Sequence, residues 1–119
     1  MRLFVLILNR VEKLDDLMTA YAREKICGAT IIDSTGMARE LYGSHHAEEE
    51  ISFFGSIRKY LNDDSRKTSK TILTVLREDQ LETIIRLTEE IVGDFSEPDV
   101  GIMFSLPLDF ARGKGLDRQ

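Results

Sequence analysis

Cysteine and histidine are scarce in this chain, and each scarcity removes a class of explanation. Cys27 is the single cysteine, and tryptophan is absent. One thiol excludes an internal disulfide and predicts a reducing, cytoplasmic setting. The two histidines, His45 and His46, adjoin Glu48, Glu49 and Glu50. Neighbours along a polar loop do not preset ligand geometry as a helical i, i+4 pair does, so no metal site is predicted. Positive charge is short as well: 16 Lys and Arg stand against 21 Asp and Glu, a net charge of −5. Such a chain lacks the clustered basic surface that a general nucleic-acid binder needs. No apolar run approaches the roughly 20 residues that span a bilayer. The run Leu3 to Leu8 is short and lacks a small-residue cleavage site after it, so it reads as a strand and not as a signal peptide.

Convergent catalytic chemistry is missing too. Cys27 has no histidine-containing constellation, and a thiol at the start of a strand is expected to be buried and inert. Asp15 and Asp16 look like paired carboxylates, yet acids in a first helical turn are explained by the helix dipole. No catalytic residue is assigned, and the chain reads as a non-enzyme.

What is present is ordinary globular composition, 42% hydrophobic and 31% charged, over 119 residues. That predicts one domain, 1–119, with a modest core. Leu3 to Leu8 is continuously apolar, as in a strand buried on both faces. Leu14, Leu17, Met18 and Tyr21 follow at helical spacing, and Gly28 is placed to stop that helix. Ala29 to Asp33 reads as a second strand, and Thr71 to Leu76 as a third. A second helix presents Leu81, Ile84, Ile85, Thr88 and Ile91 on one side and stops at Gly93. Val100 to Leu108 is the last strand, with Pro107 marking an edge or bulge. The tail from Arg112 has no apolar period and predicts little order.

Between the second and third strands lies a long interruption, 40–69, which a small domain rarely carries unless the segment is functional. Its polar beginning, Gly43 to His46, predicts a free arm. Ile51 to Leu61, with Phe53 and Phe54, predicts a docked and partly helical segment. The order β-α-β, long loop, β-α-β is the ferredoxin-like α+β arrangement, βαββαβ, with a four-stranded antiparallel sheet. Two helices cover one face of such a sheet. Strands apolar on both faces then need a second cover, and a closed homo-oligomer supplies one.

Three stretches carry a family likeness. Lys13-Leu14-Asp15-Asp16-Leu17 opens the first helix, and Ile26-Cys27-Gly28-Ala29-Thr30-Ile31 leads into the second strand. Gly36-Met37-Ala38-Arg39 opens the long segment. In this order they resemble the Lys-Leu-Asp-Asp, Ile-Thr-Gly-Met-Thr-Val and Gly-Phe-Gly-Arg motifs of the PII signal-transduction family. The resemblance implies a homotrimer that binds a small effector, an adenine nucleotide among the possibilities, in clefts between subunits. It implies a T-loop that engages a target protein, an enzyme or a membrane transporter, in the regulation of nitrogen utilisation.

Carried over by residue, the resemblance makes Thr30, Gly36, Met37, Arg39 and Gly101 the ligand-binding positions. It makes Phe53, Phe54, Arg58 and Lys59 the partner-binding part of the loop. The family's Gly-Asp-Gly-Lys loop, whose Lys holds nucleotide phosphates, is matched by Asp99-Val100-Gly101-Ile102, with no cation. No cofactor is therefore assigned, and weak ATP binding is expected. Other occupants of this fold would be a CutA-like trimeric metal-tolerance protein or a small enzyme.

Overall fold

The computed structural model describes residues 1–37 and 68–118. The chain forms two compact units, Met1–Ile32 with Lys70–Gln119, and Asp33–Ser69. Strands β1 (Arg2–Leu8), β2 (Ala29–Ser34), β3 (Ser69–Leu76) and β4 (Gly101–Pro107) form one four-stranded sheet in the order β2-β3-β1-β4. Helix α1 (Leu14–Arg23) links β1 to β2, and α2 (Leu81–Val92) links β3 to β4. Both central pairings are antiparallel: Val5 lies opposite Leu73 on one side and Phe104 on the other. This is the ferredoxin-like α+β fold expected from the pattern.

Alternation sorts the sheet into two faces. Phe4, Leu6 and Leu8 of β1 and Ile72 and Leu76 of β3 are fully buried, in one cluster with Leu17 and Tyr21 of α1 and Ile84, Leu87 and Val92 of α2. That is the core. On the other face, Leu3 and Ile7 are only half-buried, so β1 is not covered on both sides as its unbroken apolar run predicts. Helices cover one face, and the opposite face has no cover among the described residues.

The first helix stops differently from the expectation. Its left-handed residue is Lys25, at φ 63°, and not Gly28. Lys25 N–H donates to the Ala22 carbonyl, and Ile26 N–H reaches back to the Tyr21 carbonyl, each at 2.9 Å. This is a Schellman motif, and its apolar contact is supplied by Ile26, which joins the core beside Tyr21. Lysine at such a site leaves no compositional signal, which is why the nearest glycine misled. Cys27, just beyond this turn, is exposed where burial was expected.

The second helix stops where expected. Gly93 takes φ 116°, and a Cβ there would meet Arg10 Nη1 at 2.9 Å. That same nitrogen donates to the Val92 carbonyl at 2.9 Å. A cation thus meets the negative end of α2. At the other end, Arg77 N–H donates to Gln80 Oε1 at 3.0 Å across a short 3-10 turn, Glu78–Gln80. The tail is more ordered than expected, with a 3-10 turn over Lys114–Arg118.

One polar link ties the helices together inside the core. Thr88 Oγ1 donates its only proton to the Ile84 carbonyl at 2.6 Å, so Tyr21 must be the donor in the Tyr21–Thr88 hydroxyl pair. Burial pushes the Tyr21 phenol up from 10.0 to about 12. The unfolded chain releases this proton near pH 10 and the native chain does not. The stabilisation is therefore complete below pH 10 and is lost as the pH rises towards 12. Tyr21→Phe is expected to cost about 1 kcal/mol at pH 7. Urea melts should show the variant's disadvantage shrinking between pH 10 and 12, and a pH-independent gap would contradict this assignment.

Candidate functional site

The two helices leave one face of the sheet uncovered. Cross-strand partners in an antiparallel ladder share a face. The register therefore aligns Leu3 with Val75 and Leu106, Val5 with Leu73 and Phe104, and Ile7 with Thr71 and Ile102. Every member of these three rows is apolar except Thr71. Ile102, Phe104 and Leu106 are 54%, 45% and 40% exposed, while the central Val5 is already screened by its neighbours at 7%. On β4 this face alternates with Met103 and Ser105, which turn to the helix side. Arg2 Nε there donates to Ser105 Oγ at 3.3 Å, and Arg2 pairs with Glu78 at 3.5 Å.

Sequence reasoning found the open face from strands 1 and 3 and missed the contribution of β4. The signal was present in the period-two run Ile102, Phe104, Leu106. Phe110 was missed as well. It is 68% exposed and carries the Arg112 guanidinium 5.1 Å from its ring centroid, a cation–π contact.

The expected ligand positions are scattered within one chain. Thr30 lies exposed on β2 and Gly101 opens β4, and these are the two edge strands of the sheet. Three inter-strand spacings of about 4.8 Å separate the edges, so about 14 Å lies between them. That separation is longer than a small carboxylate, so such a ligand cannot touch Thr30 and Gly101 of the same chain. In the second unit, Gly36 has open space where a Cβ would go, and Met37 is 79% exposed. Arg39, Phe53, Phe54, Arg58 and Lys59 lie outside the described residues, as does the whole expectation of a two-part loop. Among the described residues, no group of three His, Cys, Asp or Glu side chains is placed to hold a metal ion.

Gly101 has a structural reason of its own. It sits at φ 141°, and a Cβ would fall 2.2 Å from the Ile7 carbonyl oxygen. The pairing of β4 with β1 therefore demands glycine at its first position. Asp99, two residues earlier, is at φ 61°, so the chain turns sharply into the strand. The preceding loop is acidic. Asp94 accepts from the Ser96 N–H at 2.9 Å and the Ser96 hydroxyl at 2.7 Å, which hold its carboxyl below the usual range. Glu97 and Asp99 follow, both exposed.

Among solved structures, the chain is similar to PII of Arabidopsis thaliana bound to citrate, with a TM-score of 0.58 and 18% identity. The likeness covers 90% of this chain and 73% of the plant protein. At that identity it shows the fold, a divergent PII-like one. No protein-family model matches the chain, and no curated protein matches it.

The two glycines of the expected site should separate on substitution. Gly101→Ala is expected to lose about 2 kcal/mol or more, because backbone must move to admit the methyl. Gly36→Ala should stay within about 0.5 kcal/mol of the parent. Chemical denaturation of both variants checks this, and a tolerated Gly101→Ala would contradict the strand contact.

Proposed function

We propose that this chain is a non-enzymatic PII-like regulator: a cytoplasmic homotrimer that binds a small effector between subunits and signals to a protein partner. The observation that carries the reading is the apolar sheet face. Covering a side chain such as Phe104 or Leu106 stabilises by about 1.5–3 kcal/mol when burial is complete. A face of this size has cause to be covered by further copies, and closed cyclic assembly makes each copy equivalent. The separation of Thr30 and Gly101 supports the same reading. Opposite edges of one sheet become neighbours only when two copies meet, so an effector touching both positions would need both copies.

The PII of Arabidopsis was solved with citrate bound. That supports a small carboxylate as the effector class to test first. Adenine nucleotide is the weaker candidate here. Ile102 projects onto the apolar face where the family pattern has a cation, and the loop before it carries Asp94, Glu97 and Asp99. Losing one charge-assisted contact to phosphate costs about 1.5–3 kcal/mol, or one to two decades in affinity. We assign partner recognition to the long segment on its sequence: Phe53 and Phe54 as apolar anchors, with Arg58 and Lys59 beside them. An enzyme or a membrane transporter in nitrogen utilisation would be the target.

Light scattering is expected to give three times the 13.6 kDa chain mass at micromolar concentration. Phe104→Asp buries a charge in the interface and should reduce the mass to that of one chain. Calorimetric titration with citrate should give saturable heat for the trimer and none for the Phe104→Asp monomer. A wild-type monomer, or equal citrate binding by both proteins, would contradict the proposal.

A further inference from the structure

The last residue of β2 and the first of β3 are both serines, and their side chains face each other. Ser34 Oγ lies 2.9 Å from Ser69 Oγ. Ser69 Oγ donates to the Ser34 carbonyl at 3.2 Å, and Ser34 Oγ lies 3.4 Å from the Ser69 carbonyl. Each hydroxyl has one proton and can accept at its lone pairs. The contacts therefore form one ring, in which Ser34 donates to Ser69 Oγ and Ser69 donates to the Ser34 carbonyl. The reverse arrangement, through the Ser69 carbonyl, is also geometrically open but longer. Either way both hydroxyls are satisfied.

Solitary serines at strand ends face water and cost nothing when removed. This pair is different, because Ser69 is 2% exposed. A buried hydroxyl without a partner is unfavourable, so the pair favours holding the two strand ends side by side. Those ends are also the two ends of the long insertion, 35–68. The entropy of closing a segment rises only with the logarithm of its length, so a short-range link at its neck keeps its effect however long the insertion is.

We infer that Ser34 and Ser69 form a side-chain clasp that positions the neck of the insertion and marks where β2–β3 pairing ends. The two serines are positioning residues. The inference stands whatever effector or partner the chain binds.

Native-state hydrogen exchange on the full-length protein tests the clasp. Ser34→Ala and Ser69→Ala should each speed exchange at the amides of Asp33, Ser34, Ser69 and Lys70 by about fivefold, the worth of one net hydrogen bond. Amides of Leu6 and Ile7, in the central ladder, should keep their parental rates. The double variant should exchange more slowly than the product of the single effects predicts, because both substitutions break one ring. Ser34→Thr retains the hydroxyl and should restore the parental rates. Unchanged neck amides would overturn the inference. So would multiplicative single effects, or equal acceleration at Leu6 and Ile7, which would make the serines general stabilisers and not a clasp. Because no ligand is added, a negative result here leaves the trimer and effector proposals untouched.

Discussion

Strand β1 is the constraint on which the rest of the fold depends. It is hydrogen-bonded on both sides, to β3 and to β4, and its side chains alternate between two apolar sets. Phe4, Leu6 and Leu8 can be buried by the protein's own helices. Leu3, Val5 and Ile7 cannot, because both connections that carry helices pass over the same face. On the other side Ile102, Phe104 and Leu106 of β4 are left exposed. A strand of this composition at the centre of this topology therefore sets an assembly problem as well as a folding one.

The edges of the sheet meet a second constraint. β2 and β4 are outermost, and they carry Ile31, Ile32, Ile102, Phe104 and Leu106 in exposed positions. Exposed apolar edge strands invite pairing with further chains unless an interface claims them. Thr30 and Gly101 lie on these opposite edges. In the proposed trimer, assembly and effector binding would use the same surfaces, with one copy's β2 brought to another copy's β4. The device that keeps β4 on the sheet is local: Gly101 admits the Ile7 carbonyl, and Asp99 turns the chain into register before it.

Much of the architecture could be read from spacing alone. Leu14, Leu17 and Tyr21 mark a helix because three and four residues separate them, and Thr71 to Leu76 marks a strand through its β-branched content. Gly93 was legible because a glycine stands where its φ is needed. Lys25 was not, since a left-handed lysine obeys local hydrogen bonding that composition does not display. The exposure of Cys27 follows from that turn and was hidden for the same reason. At the candidate site, residue types were legible but neighbourhoods were not. The resemblance makes Thr30 and Gly101 ligand positions of a cleft between subunits, and strand order places two strands between them within one chain. Gly101 also answers to packing against Ile7, a demand invisible without the ladder register.

The central claim is that further copies of the chain cover the apolar sheet face in solution. Methyl-labelled NMR with a soluble paramagnetic relaxation agent tests it most directly. In the single chain Ile102 and Leu106 are exposed, as is Met37. The account predicts that in the wild-type assembly the methyls of Ile102 and Leu106 resist relaxation as well as core Ile72 does, while Met37 relaxes fully. Relaxation of Ile102 and Leu106 to the level of Met37 would contradict it.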